Sequence, residues 1–160
     1  MVRQANYARP VQLSLKVLRD AHIDSFPVSL KQILRTYSIR LMTYTEYCRY
    51  NDCDISVCFD QFGKDGATIT QNRKYLIVYN NRQEIKNRVR FTLAHELGHI
   101  FHRHHDELGV GTLRRLWVEK SLYDVMEDES NCFARNLLCP ALAVQEVLRM
   151  HGFVASNYDA

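Results

Sequence analysis

The stretch RFTLAHELGHIFHRHH, residues 90–105, gathers the side chains of this chain that could do chemistry. Within it, His95-Glu96-Leu97-Gly98-His99 matches H-E-x-x-H. In a helix His95 and His99 lie one turn apart on one face, so a metal ion can sit between their imidazoles. Zinc takes nitrogen ligands at about 2.0–2.1 Å, and one helical turn can present two of them. Glu96 lies about 100° round the helix from His95. It can therefore border a metal without binding it and take a proton from a water the metal activates. Two imidazoles with a carboxylate beside them are the parts of metal-assisted hydrolysis. A chance match on a solvated helix is the bland alternative. Phe91, Leu93, Ala94, Leu97, Ile100 and Phe101 argue against it, because they make the helix apolar and point to burial. Burying two histidines and a glutamate without partners would cost roughly 2 kcal/mol or more for each group. Gly98 is about 1 kcal/mol worse than alanine in a helix interior, which marks a close approach by another element.

Two histidines are not yet a site, since a catalytic zinc has three protein ligands and one open position. Three sources compete for the third place. His102 faces the same side as His95 but lies about 10 Å along the axis, too far for a metal seated between His95 and His99. His105 fits the longer pattern H-E-x-x-H-x-x-G-x-x-H, but the glycine position holds His102, so the turn loses its permissive residue. Glu127 and Asn131 are four apart on a later helix and share a face, so Glu127 could bind and Asn131 could orient an imidazole. Taken alone, the run Glu127-Asp128-Glu129 reads more simply as an exposed acidic turn favoured by the helix dipole.

The whole chain bounds these readings. At 160 residues, with 46% hydrophobic and 24% charged residues, one globular domain with a sizeable core is expected. That domain spans 1–160, with the metal-site core at about 64–140 and a C-terminal helix and tail at 141–160. A formal charge of +3 is too small to argue for direct nucleic-acid binding. The cluster Arg82, Lys86, Arg88 and Arg90 reads as a solvated face. No apolar run is long enough to span a membrane, and the opening MVRQANYARPVQ lacks the apolar core of a secretion signal. A cytoplasmic protein is therefore expected, with its five cysteines reduced and packed as small hydrophobes.

The elements that must position the motif follow in order. An amphipathic helix is expected over Val11 to Ala21 after Pro10, with Val11, Leu15 and Leu18 on its stripe. Ser29 with Gln32 resembles a capping box opening a second helix, about Leu30 to Tyr37. Ile39 to Tyr44 alternates as a short strand, a helical turn is expected around Glu46 to Arg49, and Asp54 to Phe62 reads as extended or loop. Gly66 to Gln71 and Tyr75 to Tyr79 form two strands joined through Asn72-Arg73-Lys74, and the run Leu76-Ile77-Val78-Tyr79 suggests a strand covered on both faces. Asn81 with Glu84 resembles a second capping box, opening the motif helix from about Gln83 to His104. Leu113 to Leu122 holds a short helix with Trp117 inward, Asp124 to Leu138 is another helix, and Pro140 opens a last one over Ala141 to Met150.

Two motifs together carry a resemblance. Arg88-x-Arg90-Phe91-Thr92-x-Ala94-His95-Glu96-Leu97-Gly98-His99, followed by Glu127-x-Glu129-x-Asn131-x-Phe133-Ala134-x-x-Leu137-Leu138-x-Pro140, resembles the ImmA/IrrE family of zinc metallo-endopeptidases over roughly Leu30 to Pro140. Ser130 and Cys139 stand where that family usually has Ala and Met, departures that leave the chemistry intact. The resemblance implies an α+β, zincin-like fold, with a small β-sheet packed against the motif helix and flanking helices. It implies Zn2+ held by His95, His99 and Glu127, with Glu96 as general base and Asn131 orienting an imidazole. Glu129 lies about 200° round the helix from Glu127, so Glu129 and His105 are expected outside the site and dispensable for metal binding. The resemblance also implies a protein substrate, a helix-turn-helix repressor, held extended along an edge strand at Gly66, Ala67, Thr68 and Ile69. His102, His104, His105 and several tyrosines remain open as stabilisers of the oxyanion.

Overall fold

The computed structural model describes residues 6–113 and 118–152. The elements follow in the order α1 (Ala8–Asp20), α2 (Leu30–Thr36), β1 (Arg40–Thr43), α3 (Tyr44–Asn51), α4 (Ile55–Phe62), β2 (Gly66–Gln71) and β3 (Lys74–Tyr79). The second half is helical: α5 (Lys86–His102), α6 (His104–Leu108), α7 (Lys120–Leu138) and α8 (Ala141–Met150). The architecture is α+β.

The sheet is small, with strand order β1-β3-β2; β1 runs parallel to β3 and β2 antiparallel. The turn between β2 and β3 is two residues, Asn72 and Arg73, both at positive φ, one residue shorter than the spacing suggests and matched to the twist of a hairpin. The apolar run in β3 makes it the central strand. Ile77 packs with Leu93, Ala94 and Leu97 of α5, while Val78 packs with Tyr44, Cys58 and Phe62 on the opposite face. Because side chains alternate across a strand, the register Ala67↔Val78 and Thr68↔Ile77 turns Thr68 toward α5. The core behind α5 is closed by α7, whose Phe133, Ala134 and Leu137 are fully buried, and by α1 and α2.

Several local expectations are corrected. The segment after Asp54 is helical, not extended: Asp54 accepts the Ser56 amide at 2.8 Å and caps α4, and Ile55, Cys58 and Phe62 follow at helical spacing. The expected turn at Glu46 is the two-turn helix α3, opened by a true capping box in which Thr43 and Glu46 bond reciprocally. Asn81 caps nothing on α5. Its side chain accepts from Thr45, and the motif helix starts later, at Lys86. Ser29 does cap α2, but Gln32 reaches back to Ala21 O at 2.6 Å rather than completing a box. In α1 the buried face is Ser14, Val17 and Leu18, and Leu15 is exposed. Only Cys58 is fully buried; Cys48, Cys53 and Cys132 are half-buried and Cys139 is exposed. The short helix expected around Trp117 lies outside the described residues. Among the described residues no helix is long and apolar enough to cross a membrane.

Candidate metal centre

The site is built where α5 crosses α7 beside β2. The crossing is close because Gly98 has no side chain: a Cβ there would stand 2.9 Å from Ser130 Cα and 3.0 Å from Ser130 O. Gly98 therefore admits the α7 backbone, and this brings the histidines of α5 against Glu127.

Among the described residues, His95, His99 and Glu127 form the one group of three potential ligands whose donor atoms all lie within 4.8 Å of one another. The two Nε2 atoms are 3.0 Å apart. Glu127 reaches both, Oε2 to His95 Nε2 at 3.4 Å and Oε1 to His99 Nε2 at 3.3 Å. A tetrahedral ion about 2.0–2.1 Å from each donor sets the donors about 3.3 Å apart, so these separations fit one metal ion. The chemistry of the donor set fits as well. His95 donates from Nδ1 to Asn131 Oδ1 at 3.0 Å. His99 Nδ1 meets His104 Nδ1 at 2.9 Å. With both Nδ1 atoms engaged, the two Nε2 atoms and a carboxylate converge on one point, an arrangement suited to a cation.

The electrostatics agree. Burial pushes the Glu127 carboxyl up, but hydrogen bonds with His95 and His99 outweigh it and hold the group well below the usual carboxylate range. Burial alone would lower His95. Its bond to Glu127, with the charges of Glu96 and Glu127, leaves it raised instead. The point of convergence is electronegative and partly open: the His95 side chain keeps 15% of its exposure and Glu127 29%, against 4% for His99.

Glu96 is buried, and its Oε2 accepts from Thr68 Oγ1 at 2.8 Å. Thr68, expected only to touch substrate, thus fixes this carboxylate. Glu96 and the three donors lie on the wall of a cleft of about 540 Å³. Gly66, Ala67 and Thr68 of β2 line it, together with Phe59 and Phe62 of α4, Phe91, Leu113 and Tyr123. Phe91 is exposed into this cleft and not, as its apolar neighbours suggested, packed in the core. Ile69 is not among the lining residues; it forms an antiparallel bridge with Thr112, and Thr70 N bonds Gly111 O at 2.8 Å. The far end of the β2 edge is already paired, so the candidate substrate edge shortens to Gly66–Thr68.

The other histidines part company with the cleft. His102 is buried with Nδ1 on the Gly98 carbonyl at 2.8 Å, the bond of a helix end. His105 is 2% exposed and makes no close hydrogen bond at either ring nitrogen; burial and the neighbouring His99 push it down to about 4, against the opposing pull of Glu96 and the Thr68 backbone. His104, expected at most as a stabiliser of the oxyanion, and Glu129, expected outside the site, are instead joined beneath His99. Arg103 ends α5 at φ 64, and this left-handed residue folds His104 back beneath His99. Glu129 is 1% exposed, not part of a solvated acidic turn, and its Oε2 lies 3.2 Å from His104 Nε2. The available signal was its phase: Glu129 stands one turn before Phe133, on the buried side of α7.

A family model described as Peptidase_M78: IrrE N-terminal-like domain matches residues 51–151. No curated protein matches the chain.

Proposed function

The chain belongs to the M78 peptidase family, that of the IrrE N-terminal-like domain, and on that premise we propose that it is a zinc-dependent endopeptidase built as a single zincin-like domain. The observation that carries the reading is the meeting of His95, His99 and Glu127 beside a buried, Thr68-held Glu96 at the wall of a cleft. Zinc fits this set of two imidazoles and a carboxylate, and when bound it supplies a Lewis acid that acidifies water and polarises a peptide carbonyl. Glu96 takes the proton of the attacking water and delivers it to the leaving amide nitrogen. Thr68 holds the carboxylate in place for both transfers. Asn131 fixes the His95 ring with Nε2 toward the donor set. The Gly66–Thr68 edge of β2 binds an extended stretch of substrate by strand addition, running past Glu96. Tyr123, which lines the cleft, is the best placed of the tyrosines to meet the oxyanion.

The substrate is a protein, and within the family resemblance it is a specific helix-turn-helix repressor met in the cytoplasm, without direct contact to nucleic acid or membrane. A closed structural zinc fits less well, because His95 and Glu127 keep part of their exposure on the cleft side. The purified chain is expected to hold about one zinc by elemental analysis. Co-expression with a cognate helix-turn-helix regulator should yield two fragments, and Glu96→Gln should keep the metal while cutting falls roughly 10²–10⁴-fold. A metal-loaded wild type that binds the regulator without ever cutting it would replace cleavage by sequestration.

A further inference from the structure

We infer that His104 and Glu129 form a two-link relay that fixes His99 in the one tautomer able to bind a metal through Nε2. The inference rests on the reading of His99 as a metal ligand. The geometry is a chain of close contacts. His99 Nδ1 is 2.9 Å from His104 Nδ1, and His104 Nε2 is 3.2 Å from Glu129 Oε2. The other carboxylate oxygen, Oε1, accepts the Asn6 amide at 3.3 Å, which anchors the far end. His104 and Glu129 are 0% and 1% exposed, so water does not substitute for any link.

The chain has a direction. A carboxylate accepts and does not donate, so His104 must carry its proton on Nε2 to bond Glu129. With His104 a neutral imidazole, its Nδ1 is then an acceptor. His99 must in turn carry its proton on Nδ1, which leaves the Nε2 lone pair facing His95 Nε2 and Glu127. Remove the carboxylate and the acceptor that holds the His104 proton on Nε2 is gone, so the Nδ1–H form can be populated. Two N–H groups would then meet at 2.9 Å, and His99 would relieve the clash by moving its own proton to Nε2, where it blocks the metal. Glu129 thus sets the ligand state of a ring it does not touch. It also increases the electron-donating power of that ring through His104, as a carboxylate behind a ligating histidine does. His104 and Glu129 are positioning residues; neither reaches the cleft.

The test reads metal affinity and tautomer separately. Zinc affinity is measured by competition with a chelator on the purified chain, and cobalt(II) absorption reports the ligand field. Imidazole nitrogen shifts of the metal-free protein report the tautomers by NMR. Wild type should show His99 as the Nδ1–H form and His104 as the Nε2–H form. His104→Ala and Glu129→Ala should weaken zinc roughly 10–100-fold, alter the cobalt spectrum and mix the His99 tautomers. His104→Gln can accept from His99 through its amide oxygen and should restore most of the affinity. If Glu129→Ala fails to fold, Glu129→Gln keeps the shape, removes the obligate acceptor and should show a smaller shift in the same direction. Unchanged affinity and an unchanged His99 tautomer in the folded variants would overturn the relay. A wild type that binds neither zinc nor cobalt would overturn the ligand reading, while the NMR arm would still decide whether Glu129 sets the His99 tautomer.

Discussion

His95 and His99 stand one turn apart on the same helix face and are held by different means. His95 borders the cleft and is fixed by a single amide, Asn131. His99 lies deeper, and its support runs through His104 to Glu129 and on to the Asn6 amide. The difference follows from burial. A polar group sealed from water needs a partner, and a partner that is itself buried needs another. Near the cleft a neutral amide is enough. At depth the demand passes from His99 to His104 to Glu129, and ends where a carboxylate can be satisfied by backbone. Two histidines of one motif therefore depend on different parts of the chain: one on α7 alone, the other on the turn at Arg103, on α7 and on the segment before α1.

The largest expected effect removes the difference by disturbing both supports together. Gly98→Ala would place a methyl 2.9 Å from the Ser130 backbone, which cannot rotate away. Separating α5 from α7 should cost about 1–3 kcal/mol, and the better helix propensity of alanine returns only about 1 kcal/mol. A net loss of thermal stability of several degrees is expected, on the order of 2–4 °C per kcal/mol for a chain of this size. Zinc affinity should fall with it, since Glu127 and Asn131 move away from the two histidines. Thermal melts and chelator competition check both. A variant as stable and as tight-binding as wild type would show that the crossing does not set the site.

Asn131→Ala is the narrower cut and sharpens the comparison. It should weaken zinc about 10-fold, the low end for lost support of a ligating histidine. The His95 ring keeps its contact with Glu127 and part of its exposure, so water can replace the amide. The loss should be smaller than for Glu129→Ala. A larger loss would mean that the single amide does more for the metal than the buried chain.

These two supports were unequally legible in the sequence. That Glu127 and Asn131 share a face could be seen because i and i+4 on one helix need no knowledge of the fold, but only the family resemblance set Glu127 apart from an exposed acidic turn; the motif helix could be seen because its apolar residues flag burial. β3 was legible for a similar reason, as an unbroken run that only a covered strand tolerates. His104 was not, because its position depends on a left-handed arginine that ends α5, a state the residue type does not announce. Extended helically, the same sequence would send His104 to another face. Glu129 was hidden by its neighbours, since an acidic run near the helix start expected at Asp124 normally belongs in water, whereas α7 begins at Lys120 and carries the run in its middle. The α4 wall of the cleft was missed although Asp54 and the spacing Ile55, Cys58, Phe62 spelled a cap and a helix; its valine and phenylalanine read equally well as a strand.

His105 gives the smallest effect on the metal and the cleanest control. Its ring lies against His99 at a centroid separation of 6.3 Å, yet neither nitrogen makes a hydrogen bond to it or any other close one. If contact alone supported His99, His105 would matter; if hydrogen bonding does, it should not. His105→Leu keeps a similar volume, so zinc affinity is expected to stay within a few-fold of wild type. Stability against acid should change instead. The folded His105 is held down at about 4, from an ordinary value of 6.5. Between those values the unfolded chain takes up a proton that the folded one refuses, so folding stability falls as pH drops below 6.5. At pH 5 the gap amounts to about 2 kcal/mol, at about 1.4 kcal/mol per unit. Above pH 6.5 both states hold the ring neutral and the contribution vanishes. Glu127, held low in the fold, adds its own loss only on the more acidic side of the ordinary carboxylate range. Denaturant titrations at pH 7 and pH 5 should therefore show the leucine variant losing less stability between them than wild type, with little penalty at pH 7, where the ring makes no close hydrogen bond. Equal losses in the two proteins would mean that His105 protonates within the fold. A large fall in zinc affinity would mean that packing against His99, and not the hydrogen-bonded chain beneath it, holds that ring.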